Sequence, residues 1–294
     1  MSTQHKYAGT GVAIITPFKK DLSIDFEALE KQIEHLIANG INYLIVLGTT
    51  GESVTQTESE KDELVKFIIE KVYKRIPIVL GVGGNNTQAV IDKIKKTDFN
   101  EIDAILSVAP YYNKPTQEGL YQHFKAIAKA CPIDIILYNV PGRTGSNINA
   151  ETSLRLAHEF KNIVAVKEAS GDFSQAMAII KDKPEHFAVV SGEDALTLPL
   201  MSIGMSGVIS VVANACPKEF STMVSLALNN NFQEAEKIHY RLLDLINYLF
   251  AEGNPSGIKA ALEILGIIEN NLRLPLVPVS KKTYDKIDEL IQII

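Results

Sequence analysis

Short runs of branched apolar residues recur along most of this chain, and nearly every one is followed by an amphipathic stretch. They are VAIITPF (12–18), YLIVLG (43–48), IPIVLGVG (76–83), DAILSVAP (103–110), DIILYNVP (134–141), IVAVKEAS (163–170), FAVVSGE (187–193) and GVISVVAN (207–214). Bounded by glycine, proline and polar residues, such runs read as buried strands. Between the first two, residues 25–39 set Phe26, Leu29, Ile33, Leu36 and Ile37 on one face, the stripe of a helix that covers a sheet. Residues 58–73, 87–98, 118–130 and 150–159 carry further helical patterns. Strand–helix alternation on this scale predicts a closed (β/α)8 TIM barrel, with a doubly wound open sheet as the alternative. Beyond residue 214 the strand signal stops, and 217–230, 232–250, 256–265 and 281–294 read as helices. The expected division is a barrel over 1–225 and a small all-helical C-terminal domain over 226–294, packed tightly because no flexible linker separates them.

Composition narrows the function. Apolar residues make up 46% and charged ones 22%, enough for a packed core. A net charge of -6 without a long basic run lacks the footprint of a nucleic-acid binder. No apolar run approaches a membrane span, and the start, MSTQHKYAGTG, lacks the apolar stretch of a signal peptide, so a cytoplasmic chain is expected. Cys131 and Cys216 have no redox or metal-ligand spacing and read as reduced core residues, and the 6 histidines form no H-x-x-x-H or H-E-x-x-H pair. No metal is expected.

Barrel enzymes carry their reacting groups at the carboxyl ends of the strands. The polar clusters GTTGES, PYYNKP, YNVPGRTG, VKEAS and SGE all fall there. Within the sixth run, Ile163, Ala165 and Lys167 alternate onto one face, which in a barrel is the interior. An ordinary lysine is neutral in only about one molecule in a thousand near pH 7.4, so an amine nucleophile needs its charged form raised by about 4 kcal/mol, which burial can impose. Lys167 is therefore a candidate Schiff-base former; a side chain paired with Glu168 is the plainer reading. Tyr138, Tyr112 and Thr49 supply hydroxyls able to relay the protons that imine formation moves. Gly48 and Gly51 flank two threonines, either as a simple tight turn or as a carboxylate cradle of hydroxyls and backbone N–H groups. Arg143 is either a surface residue or a bidentate grip for a second carboxylate.

Taken together, GTTGES, PYYNKP, YNVPGRTG, AVKEASGD, GVISVVAN and LRLPLVP resemble, in order and from about residue 9 to 278, the 4-hydroxy-tetrahydrodipicolinate synthase family of lysine and diaminopimelate biosynthesis, historically dihydrodipicolinate synthase. The resemblance implies a class I aldolase-type condensation of pyruvate with L-aspartate 4-semialdehyde, with no cofactor beyond a covalent Schiff base. It assigns that Schiff base to Lys167, general acid–base work to Tyr138, and the rest of the relay to Thr49 and Tyr112. Thr50 would hold pyruvate's carboxylate and Arg143 that of the semialdehyde, while the backbone at Gly192 and Ile209 would line the pyruvate pocket. Tyr112 would reach into a neighbouring subunit, implying a tight dimer paired into a homotetramer.

N-acetylneuraminate lyase and the 2-keto-3-deoxy sugar acid aldolases share the barrel, the lysine and the GxxGE turn; Arg143 after YNVPG is similar to the synthase pattern. In lysine-inhibited members the allosteric cleft carries histidines and a glutamate where this chain has Glu58, Lys61 and Ala89, although Ser53, Asn85 and Tyr111 match. Weak or absent lysine feedback is expected, because Ala89 offers no charge to an effector's ammonium. NPSGIK (254–259) departs from the common NPIPIK. A rival of another class is a non-catalytic barrel that binds small anions, in which the relay hydroxyls would be idle. Dinucleotide binding is poorly supported, since GVGGNNT lacks the G-x-G-x-x-G spacing.

Overall fold

The computed structural model describes residues 5–294; Met1–Gln4, part of the stretch read for a signal peptide, lie outside the described residues. Eight parallel strands close in sequence order into a barrel, β8 pairing with β1, and helices connect them. The strands are β1 (Gly9–Ala13), β2 (Tyr43–Val46), β3 (Ile78–Gly81), β4 (Ala104–Val108), β5 (Asp134–Asn139), β6 (Ile163–Glu168), β7 (Ala188–Ser191) and β8 (Gly207–Ser210). The helices between them are α1 (Phe26–Ala38), α2 (Glu58–Val72), α3 (Thr87–Lys96), α4 (Gln117–Ala130), the single turn α5 (Pro141–Thr144), α6 (Ala150–Glu159), α7 (Phe173–Asp182) and α8 (Thr197–Ser202). The closed topology settles the choice against an open sheet.

β1 lies earlier than the apolar run 12–18 because its glycines are structural: a Cβ on Gly11 would fall 2.3 Å from the Tyr43 ring. At the other strands the expected runs overshoot the carboxyl end by two or more residues, as at β8, where Val212–Asn214 form a 3-10 turn. The overruns carry apolar residues (Leu47, Val82, Ala109, Val140, Val211) beside polar ones (Ser170, Glu193, Asn214), and they lie beyond the strands. In β6 the pairing steps from Ile135↔Ile163 to Ile136↔Ala165, a bulge that breaks the simple alternation. Ile163 consequently packs in the outer core beneath the helices, not with Ala165. Ala165 and Lys167 still share a face, since the bulge lies before both.

After β8 come α9 (Pro217–Leu228), α10 (Phe232–Phe250), α11 (Ser256–Ile264) and α12 (Lys281–Ile291). Residue 225 falls within α9, which packs on β1 and β8 as the barrel's eighth helix and on α10. A continuous apolar core runs from the outer face of the strands through α9 into α10 and α11. No helix among the described residues is long and apolar enough to cross a membrane.

Candidate active site

Lys167 stands near the carboxyl end of β6, in register with Tyr138 on β5 and Val190 on β7. Its side chain is 5% exposed and its Nζ lies 4.5 Å from the centroid of the Tyr138 ring. Glu168 is not its partner. Alternation turns that carboxylate to the other face, where it accepts from Asn139 (3.0 Å), Gln175 (2.9 Å) and the Ser170 backbone N–H (2.8 Å). Among the described residues Lys167 has no salt bridge. In place of a salt bridge it has the face of the Tyr138 ring and the longer-range attraction of Glu193 and Asp194.

Around this amine, an inner chamber of about 50 Å³ is lined by Thr49, Thr50, Tyr138, Arg143, Lys167 and Gly192. Gly48, Thr49, Leu106, Tyr138, Val140 and Arg143 also border an adjoining cleft of about 370 Å³. Six of the residues singled out by sequence therefore meet at one place. Gly192 is required there for space: a Cβ would stand 2.9 Å from Lys167 Cε. Ile209 does not line the chamber; its side chain packs in the barrel interior with Tyr138, and Val211, two residues on, reaches the wall. Tyr112 is outside it altogether, 85% exposed, with φ at 74° and its backbone N–H donating to Thr144 O (3.3 Å). Ser53 and Tyr111 border the adjoining cleft, and Asn85 donates to the Tyr111 carbonyl (3.4 Å). Glu58 is not among the residues lining that cleft; Lys61 (2.7 Å) and Lys93 (2.5 Å) pair with it and hold its carboxyl down to about 2.

GTTGES folds as two successive 3-10 turns, Thr49–Gly51 and Ser53–Thr55, joined at Glu52 in the left-handed region. The Gly51 carbonyl accepts from Thr16 (2.7 Å) and Gln56 (2.7 Å), which fixes the turn from below. Arg143 sits in α5, whose Thr144 hydroxyl donates to Ser146 O (2.8 Å), and its exposed guanidinium has no carboxylate partner among the described residues.

Several pocket residues escaped the sequence reading. Glu193 lines the chamber; burial, then Asp194, raises its pKa, against the pull of Lys167 and Arg143. Asp194 is buried and accepts from the Val211 (2.9 Å) and Val212 (2.8 Å) N–H groups, pinning the segment after β8. The SGE string already marked that strand end, so Glu193 had a signal. Phe250 had none, and Asn254 was marked only as the start of NPSGIK, with no role; both enter the chamber, from the end of α10 and the turn beyond it. Glu52 forms a wholly buried ion pair with Lys259 of α11. No group of three or more His, Cys, Asp or Glu side chains among the described residues is placed to hold a metal.

The sequence matches the Dihydrodipicolinate synthetase family over residues 6–294. It is 56% identical over 284 residues to the 4-hydroxy-tetrahydrodipicolinate synthase of Parabacteroides distasonis, covering 97% of this chain and 96% of that protein. The dihydrodipicolinate synthase of Thermotoga maritima superposes with a TM-score of 0.95 at 42% identity, covering 98% of both chains. A monomeric dihydrodipicolinate synthase variant superposes equally well, TM-score 0.95 at 42% identity, covering 98% of this chain and 97% of that one.

Proposed function

This chain belongs to the Dihydrodipicolinate synthetase family, and from that premise we propose how its own residues carry out the reaction. The activity is that of a 4-hydroxy-tetrahydrodipicolinate synthase, a lyase of the class I aldolase type that condenses pyruvate with L-aspartate 4-semialdehyde in lysine and diaminopimelate biosynthesis. Lys167 Nζ adds to C2 of pyruvate, the carbinolamine loses water to give the Schiff base, and loss of a proton from C3 gives the enamine that attacks the aldehyde carbon. Attack of the semialdehyde's amine on C2 then closes the ring and frees Lys167. The observation that carries this reading is a lysine buried in a polar-mouthed chamber, with no salt-bridge partner among the described residues and a tyrosine ring against it.

Tyr138, with Thr49, moves the protons of the carbinolamine and enamine steps; Thr50 binds pyruvate's carboxylate, and Arg143 at the mouth takes the semialdehyde's. Gly192 gives Lys167 room, and Ile209 packs in the barrel interior in the same cluster as Tyr138. The protein works without a metal or organic cofactor, in the cytoplasm. Tyr112, projecting from its own chain, completes the relay of a second copy in a tight dimer, and two dimers form a tetramer; because one structural relative is a monomeric variant, sedimentation of this chain decides the assembly. Lysine inhibits weakly or not at all, since Glu58 is already neutralised by two ammonium groups and Ala89 adds no acidic partner; half-inhibition by millimolar lysine would contradict this.

The central test is borohydride reduction in the presence of pyruvate, followed by peptide mass analysis. A pyruvate-derived adduct on Lys167 and collapse of turnover in Lys167→Ala are expected; a folded alanine variant with near-normal turnover would end the reading. Offering N-acetylmannosamine and glyceraldehyde in place of the semialdehyde separates the synthase from the sugar-acid lyases.

A further inference from the structure

Asn254 lies in the turn between α10 and α11, 204 residues from Thr50 in sequence, yet its Nδ2 donates to Thr50 Oγ1 at 3.0 Å. Both side chains are buried, at 8% and 3% exposure, and both line the chamber that holds Lys167. The Asn254 Oδ1 has no hydrogen-bond partner among the described residues. A threonine hydroxyl has one proton and two acceptor sites. With one acceptor site occupied by the Asn254 amide, the Thr50 proton is turned away from Asn254 and is free to be donated to a substrate.

An ionised carboxylate only accepts, so it bonds a hydroxyl that presents its proton and is repelled by one that presents lone pairs. An acceptor at position 254 would reverse the polarity of Thr50 and turn that surface against anions. Glu52, two residues after Thr50, pairs with Lys259, five residues after Asn254, and its second oxygen accepts from the Arg273 backbone N–H (3.1 Å). Two parallel ties thus join the GTTGES turns to the start of α11.

We propose that Asn254 is a positioning residue that orients the Thr50 hydroxyl as a donor, so that the C-terminal helical unit sets the preference of the lysine chamber for a 2-oxo acid anion. This deepens the reading above and rests on it, in that Thr50 is the group that meets pyruvate's carboxylate. Asn254 itself acts through Thr50 and not on the reacting carbon. Its loss is therefore felt in pyruvate binding more than in turnover.

The experiment compares the full-length parent with Asn254→Ala and Asn254→Asp, measuring kcat, both KM values, and the pyruvate concentration for half-maximal borohydride trapping on Lys167. Asn254→Ala should raise the pyruvate KM and the half-trapping concentration by about tenfold, the worth of one hydrogen bond to a charged group. Asn254→Asp should raise them further at neutral pH and recover as the introduced carboxyl is protonated, while the semialdehyde KM and kcat change little in both. Absence of an adduct in the parent would overturn the underlying Schiff-base reading. An adduct in the parent with pyruvate half-saturation unshifted in Asn254→Ala would overturn this inference alone, as would an equal loss in kcat and both KM values. Should Asn254→Asp not fold, Asn254→Ala carries the test, with Thr50→Val as its reference: the double variant should bind pyruvate no worse than Thr50→Val alone.

Discussion

The pair formed by Lys259 and Glu52 has no exposed side-chain surface on either partner. Lys259 Nζ also donates to Asn271 O (2.9 Å) and lies 4.2 Å from the Phe18 ring centroid, with Arg273 against the same ring at 4.4 Å. Burial pulls the Lys259 pKa below the usual lysine range, against the attraction of Glu52. Lys259→Met keeps the bulk and removes the charge, leaving Glu52 with the Arg273 N–H as the remaining donor to its carboxylate. An uncompensated buried charge of this kind costs about 3–5 kcal/mol. For a chain of this size that is a fall in Tm of roughly 10 °C. Lys259→Met combined with Glu52→Gln removes both charges but keeps an acceptor for Arg273, and should regain at least half the loss. Thermal unfolding followed by circular dichroism at one fixed protomer concentration measures both, with Lys237→Met at the exposed Glu234 pair as a control expected to change little. The reasoning fails if Lys259→Met melts with the parent, or if the double variant melts no higher than the single one.

Gly192→Ala places a Cβ 2.5 Å from that of Ala169 and 2.9 Å from Lys167 Cε; displacement of the amine should slow borohydride-trapped adduct formation on the order of a hundredfold, and an unchanged single-turnover trapping rate would count against the assigned geometry. His123, buried on α4 with Nδ1 2.8 Å from Thr87 Oγ1, has its pKa lowered by burial from 6.5 to about 4. The unfolded chain therefore takes up the proton first: the contribution is fully present above pH 6.5 and is lost as pH falls toward 4, roughly 3 kcal/mol in all. His123→Gln should flatten that limb of a urea-midpoint profile, and an unaltered acid slope in the variant would refute the assignment.

The features legible in the sequence are those with a local signature. Eight apolar runs and the polar strings at their ends are read without knowing what lies across the barrel, and they bring Lys167, Tyr138, Thr49, Thr50, Arg143 and Gly192 into one chamber. Boundaries were less legible because apolar residues continue past the strand ends, and because Gly9 and Gly11 look like loop residues until the Asn42 and Tyr43 side chains fill the space a Cβ would need. The bulge in β6 depends on a pairing mismatch with β5 that no single strand encodes. α7 did leave a trace: Asp172 caps it by accepting from the Gln175 N–H (3.1 Å), a start signal preceding a short apolar stripe. α8 was hidden by Pro199, which is tolerated because it lies in the first turn of the helix.

Asn254 and Lys259 show why the remaining site residues could not be read. Each acts on a residue more than two hundred positions away, so neither helical nor strand periodicity carries the relation. The division of labour has a physical basis. Strand ends hold reacting groups at fixed spacing, but the turns that follow them are held only by what packs from above. Here α10 and α11 supply that roof: Phe250 and Asn254 wall the chamber, Lys259 neutralises Glu52, and Arg273 donates its backbone N–H to Glu52 (3.1 Å) and its side chain to the Thr55 carbonyl (3.0 Å) and Glu60. A barrel ending near residue 225 would lose part of α9 from the face of β1 and β8 and leave the buried Glu52 carboxylate without its cation. By that argument the helical segment is part of the site's framework, and substitutions in it should be judged by their effect on the threonine turn as well as on its own packing.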